Sequence, residues 1–325
     1  MAFGLPPFFG PLHSGYEEFF GPMSGGVDYF SHCDSSGRHD LWFGEEETKQ
    51  DGYLTDLLST RGGLCGAYGA GRQRRHAVFS EPALHGAALA LGNATTTALA
   101  PQIKDNLFHL HGGNIHTYRR MIHHMDEGIG GVMQALQKHG LADNTLVVFT
   151  SDNGGERFSD NWPLVGGKMD LTEGGIRVPW IAHWPAVIAA AGVSEQHCMT
   201  MDWSATMLDA AGVPAAPDYP LDGVSLLPVL RDAGHRFHRP LHWRMNHRGQ
   251  RALHDGDWKY LQVDGNEYLF NIPADERERA NLAGREPERL IAMRAAWQAW
   301  EASVPPIPAD ATVSLGYSVK DMPQR

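Results

Sequence analysis

The chain has 325 residues, 42% of them hydrophobic, enough for one large domain or two smaller ones. Its formal net charge of -11 argues against a nucleic-acid binder, which needs a basic face, but leaves room for an anionic ligand held at a locally positive site. Cys33, Cys65 and Cys198 have no regular spacing, which speaks against a disulfide framework or a zinc site, and no run is apolar enough to span a membrane.

The first residues, MAFGLPPFFG, lack a basic segment followed by an apolar run, so no signal peptide is read there. The chain as written is therefore expected in the cytoplasm, and an intact parent protein could be periplasmic. Residues 1–50 are rich in Gly, Phe and Asp and read as irregular. Tyr53, Leu54, Leu57 and Leu58 form a short helical stripe. A longer helix is expected over 106–139, where Tyr118, Met121, Ile122, Met125, Ile129, Val132, Met133 and Leu136 keep the i, i+3, i+4 spacing, with Gly140 as its C-terminal stop. A buried strand is expected over 145–150, a second strand in GGIRVPWIAHWP, and a short helix in SATMLDAAGV closed by Gly212. This order predicts an α/β fold with a central sheet sandwiched by helices. After residue 235 the short Trp- and Tyr-rich runs PLHWRM, RALHDGDWKYLQV and EYLFNI predict a small C-terminal antiparallel sheet. EPERLIAMRAAWQAWEAS predicts a helix packed on it, followed by an extended Pro-rich tail. The expected division is 1–235 and 236–325.

Chemistry concentrates after the strand TLVVFT. Ligands of α/β sheets bind beyond the carboxyl ends of strands, and Asp152 and Asn153 sit at such an end. Two oxygen-bearing side chains there suit a hard cation such as calcium or magnesium, although Asp-Asn-Gly is also ordinary turn chemistry. Gly154 and Gly155 are expected to let the backbone turn sharply and approach a ligand. Lys168 follows another glycine pair and is poised like an anion-binding lysine. A cation pair and an anion-binding lysine within one stretch imply a metal-assisted site for an anionic ester.

The stretches TLVVFTSDNGG, LVGGKMDLTEGGIRVPWIAHWP, MDWSATMLDAAG, LDGVSLLPVL and DGDWKYL, with SGYEEFFGPMSGGVDYFSH upstream, resemble the sulfatase (arylsulfatase) family over most of the chain. The resemblance implies an alkaline-phosphatase-like fold and cleavage of a small-molecule sulfate ester. It implies metal ligation by Asp152 and Asn153, with Ca2+ or Mg2+ as the ion, and sulfate binding by Lys168. The net charge and the lack of a long apolar run add the expectation of no nucleic-acid or membrane partner.

Two departures qualify that reading. The family's C/S-x-P-x-R motif, source of its formylglycine nucleophile, is absent from these 325 residues, as are the two N-terminal aspartates that complete the metal site. No catalytic residue is therefore assigned. Moreover, plausible codons for MAFGLPP, read one nucleotide forward, spell Trp-His-Leu-Gly-Phe-Leu, the family's sequence after its catalytic lysine. Codons for SEPALHGAALALGN similarly spell LSLHYTAPHWPWE, which contains the family's Ala-Pro-His-x-Pro element. Residues 62–96 are thus expected to be frame-shifted, and the chain to be an inactive portion of a sulfatase. The alternatives are a non-catalytic remnant or weak ion-binding module, and a phosphonate or phosphate ester hydrolase of the same superfamily.

Overall fold

A computed structural model describes residues 10–24, 26–34, 37–71, 114–156 and 158–308, with only the backbone described for 63–71. The expected frame shift falls mostly on residues outside this set, as do the first nine residues and the tail beyond 308. Two units are resolved, one reaching Ala142 and one beginning at Asp143.

In the first unit three two-residue strands, β1 (Phe20–Gly21), β2 (Trp42–Phe43) and β3 (Glu46–Glu47), pair as an antiparallel meander. The segment expected to be irregular is mostly turns, but buried carboxylates fix them. Asp40 accepts from the amides of Met23 and Ser24 and from the Trp42 indole, and Asp28 accepts from Phe30 and Ser31. Helix α1 (Leu54–Gly71) buries Leu54 and Leu58 against Val27, Tyr29 and Leu41. Helix α2 (Ile115–Lys138) packs on α1. It starts where Asn114 accepts from the amides of His116 and Thr117, satisfying two donors that the first turn would leave orphaned. It ends at Gly140, which adopts φ +67° and donates to Gln137 while Leu141 donates to Leu136. Of its expected apolar stripe, Met121 and Leu136 are buried.

In the second unit the expected strand is β4 (Val147–Thr150), paired antiparallel with β5 (Trp180–His183) so that Phe149 faces Ile181. β4 is half-buried rather than buried, and Ile181 is 61% exposed, because among the described residues this sheet has two strands. Short helix α3 (Glu173–Ile176) precedes β5, and α4 (Asp202–Ala211) ends at Gly212, which is left-handed as expected. Asp202, fully buried, accepts from the amides of Met199 and Val224 and pairs with the Arg239 guanidinium. Helix α5 (Leu227–Arg231) follows.

The C-terminal sheet is a meander of β6 (Leu241–Met245), β7 (Gln250–Asp255), β8 (Trp258–Val263) and β9 (Asn266–Asn271), all antiparallel. Its side chains alternate as a sheet covered on both faces demands. Leu253, Tyr260 and Leu269 point to helix α6 (Pro287–Ser303), where they meet Met293 and Trp297. Ala252, Leu261 and Phe270 point the other way and bury Leu171 and Ile176. The molecule is thus α/β with the expected small C-terminal sheet and helix. No described helix is long and apolar enough to cross a membrane.

Candidate active site

Three glycine pairs hold the site together. Gly154-Gly155 follows the Asp152-Asn153 pair, Gly166-Gly167 precedes Lys168, and Gly174-Gly175 opens α3. The amide of Gly154 donates to the Gly175 carbonyl at 2.8 Å, that of Gly174 to Val165 at 2.8 Å, and that of Lys168 to Gly155 at 3.1 Å. The backbones touch so closely that side chains have no room. A Cβ on Gly154 would stand 1.7 Å from the Gly174 oxygen, one on Gly167 2.4 Å from the Gly155 oxygen, and one on Gly175 2.0 Å from the Asp170 oxygen. Of the six, Gly166 alone has a positive φ, +80°. Gly154 and Gly155 thus serve close contact between loops, and neither uses the left-handed conformation that favours glycine.

Asn161 is the staple the sequence reading missed. Its amide accepts from the Gly155 amide at 3.1 Å and donates to the carbonyls of Gly155 and Gly166 at 3.1 and 3.0 Å. The loop after β4 and the loop before Lys168 are thus locked to each other. Asn153 donates to the Gly154 carbonyl, which fixes its amide. Asp152 is exposed, two residues beyond the end of β4. Lys168 places its ammonium 3.6 Å from the Glu156 carboxylate, both about a third exposed. The structure therefore brings Lys168 to Gly155, two residues from Asn153, through the backbone.

A second layer anchors this cluster to the C-terminal sheet. Gln250, buried on β7, accepts from the Leu171 amide at 2.9 Å and donates to the Met169 carbonyl at 2.8 Å, so the segment after Lys168 is held like an added strand. Lys259 on β8 is fully buried, with its ammonium 2.9 Å from Glu173 and 2.8 Å from Glu278. Glu278 also accepts from the Glu173 amide at 2.6 Å. Burial opposes charge on both carboxylates. Burial is the largest influence on each, but for Glu173 the charge and hydrogen bond of Lys259, together with His254 and Arg177, outweigh it and hold the carboxyl below its ordinary value, whereas Glu278 is pushed up. His254, edge-on to His197 at 4.4 Å, is pushed down to about 4, mainly by burial and then by the His197 charge. Lys259 could have been suspected from the strand alternation, since it shares the face of Leu261 and Val263.

The implied cation can be weighed against the donors present. Asp152 and Asn153 offer one carboxylate and one amide oxygen, whereas calcium takes about six to eight oxygens. Among the described residues no three His, Cys, Asp or Glu side chains gather as a ligand set. This pair does not make a complete cation site by itself.

Comparison with known proteins agrees with the motifs. The Sulfatase family model matches residues 35–213, and the model for the N-sulphoglucosamine sulphohydrolase C-terminal region matches 167–288. N-acetylgalactosamine-6-sulfatase of Rattus norvegicus is 39% identical over 130 residues, which are 38% of this chain and 25% of the relative. Steryl-sulfatase of Rattus norvegicus is 39% identical over 139 residues, 40% of this chain and 23% of the relative. The matched region thus spans about a quarter of these curated relatives. Among solved structures, Ps i-CgsB superposes with a TM-score of 0.75 at 25% identity, covering 91% of this chain and 69% of that one. Its complex with k-i-k-neocarrahexaose gives a TM-score of 0.72 at 27% identity, with the same coverage. With a family model matched over more than half of its length, this chain belongs to the sulfatase family.

Proposed function

We propose that the chain carries the sulfate-holding part of a sulfatase site, whose chemistry is hydrolysis of a sulfate ester. The supporting observation is the glycine cluster, which ties the Asp152-Asn153 loop to the Lys168 loop through the Gly155 carbonyl. In this reading Lys168 neutralises a sulfate oxygen, and Asp152 and Asn153 supply two of the oxygens around a divalent cation, calcium or magnesium. The cation would polarise the ester and offset its charge. Glu156, beside Lys168, holds the ammonium in place until an anion competes for it.

No nucleophile is assigned, because the C/S-x-P-x-R motif does not occur in the 325 residues. The remaining groups can bind and polarise an ester but cannot form the covalent intermediate that splits the reaction into two easier steps. The chain by itself therefore binds a sulfate without turning over its ester. Thermal unfolding with and without inorganic sulfate tests this, alongside an aryl sulfate assay. A ligand bound only by the folded state raises the midpoint. The rise is expected for the chain and not for Lys168→Ala, with no aryl sulfate hydrolysis by either. Hydrolysis that disappears in Lys168→Ala would overturn the assignment of roles, and a midpoint indifferent to sulfate would overturn the site.

A further inference from the structure

Met169, the residue after Lys168, holds φ at +74°, a left-handed conformation that crowds the Cβ of any residue but glycine. Such a conformation lasts only where the surroundings over-determine it. On one side the Lys168 amide donates to the Gly155 carbonyl at 3.1 Å, and the Asp170 amide donates to the Gly167 carbonyl at 3.0 Å. On the other side stands Gln250, 1% exposed on β7 and 81 positions along the chain from Met169. Its side-chain amide faces the loop as a peptide group would. Nε2 donates to the Met169 carbonyl at 2.8 Å and to the His247 carbonyl at 3.2 Å, while Oε1 accepts from the Leu171 amide at 2.9 Å.

The two ends of this grip do different things. Accepting from Leu171 satisfies a backbone donor, which any acceptor in that place would do. Donating to Met169 pins the carbonyl of the strained residue itself, and with it the direction in which the chain leaves Lys168. The lysine is then fastened at its own amide and again one residue later, so its side chain departs from a fixed stretch of backbone. We propose that Gln250 is a positioning residue for the anion-binding lysine: it holds the left-handed turn at Met169 and thereby presents the Lys168 ammonium to a bound sulfate. The proposal rests on the reading above, in which Lys168 holds the sulfate. Gln250 acts through Met169 and not on the anion. A glycine at position 169 would take this φ freely and need no grip, whereas the methionine present needs one.

Calorimetric titration of the full chain with inorganic sulfate tests this. Gln250→Glu keeps the acceptor for Leu171 and puts an oxygen where the donor to Met169 was. It should weaken sulfate about three- to tenfold. Met169→Gly should stay within about twofold of the parent, and adding it to Gln250→Glu should bring the affinity back to within about twofold. Rescue by glycine separates positioning from repulsion by the new carboxylate, which Met169→Gly leaves in place. A merely structural glutamine predicts a lower unfolding midpoint with sulfate affinity unchanged in the folded protein. That result, or a weakening that glycine does not rescue, would overturn the proposal. Should Gln250→Glu fail to fold, Met169→Val carries the test, because a β-branched residue resists the left-handed region while Gln250 stays intact. It should weaken sulfate by about threefold or more, and an unchanged affinity would overturn the proposal. Sulfate binding indifferent to Lys168→Ala would instead overturn the underlying reading.

Discussion

At the scale of single residues, the site is governed by what is missing from six side chains. A methyl group on Gly154 would meet a backbone oxygen at 1.7 Å, and no rotamer change relieves a clash with main chain. Gly154→Ala should therefore destabilise the second unit by roughly 3 kcal/mol, the upper part of the range for overpacking. Urea unfolding would show it. A loss below about 0.5 kcal/mol, the size of an ordinary surface substitution, would mean the loops part easily. Gly256, with φ +57° and open space around its Cβ position, is the internal contrast. There Ala is resisted by backbone conformation alone, so the cost should be smaller, about 1 kcal/mol. The sequence made Asp152, Asn153 and Lys168 visible because charged and amide groups next to glycines interrupt an apolar pattern. It hid Asn161 and Glu173, whose partners are backbone atoms and residues 86 or more positions away, such as Lys259. Spacing along the chain carries no signal for such contacts.

At the scale of elements, α3 and the loop before it are fastened to the C-terminal sheet by one buried ammonium between two carboxylates. Removing one member of a buried charge group leaves the others without compensation, which costs about 3–5 kcal/mol. Lys259→Met should lose that much in urea unfolding, and an apolar replacement of Glu173, Lys259 and Glu278 together should recover most of it. A single variant as stable as the parent would show that the triad does not hold the loop. His254 beside it gives the sheet a pH dependence. Its ordinary value of 6.5 in the unfolded chain falls to about 4 in the fold, where Lys259, Arg177 and His197 add to the burial and Glu173 opposes it. Below pH 6.5 the unfolded chain takes up a proton that the fold refuses until about pH 4. The neutral ring's contribution is therefore intact above pH 6.5 and is lost progressively as pH falls through that window, at most about 3 kcal/mol in all. Unfolding midpoints between pH 7 and 4.5 should fall less steeply for His254→Leu than for the parent. Parallel slopes would contradict the assignment. Elements with strong periodicity were legible in advance: β4, α4 and the C-terminal meander appear where their patterns place them, and α2 does so from Ile115 on, after the Asn114 cap, while the expected residues 106–113 lie outside the described set. The half-buried state of β4 was not legible, because burial of a strand depends on its neighbours in the sheet and not on its own apolar run.

At the scale of the whole molecule, the sequence pattern and the family match agree on a sulfatase fold, and the C/S-x-P-x-R motif does not occur in these 325 residues. The central claim is that the Asp152-Asn153 loop and Lys168 face one sulfate position. The most direct measurement is the affinity for inorganic sulfate, by calorimetry at low ionic strength without added divalent metal, for the parent, Lys168→Ala and Asp152→Asn. Low salt keeps the exposed charges unscreened. If both residues face the anion, their effects have opposite sign: Lys168→Ala weakens sulfate by about fivefold or more, while Asp152→Asn, which removes a like charge, strengthens it by about twofold. An affinity unmoved by Asp152→Asn, or unmoved by Lys168→Ala, would show that the two loops do not share a site.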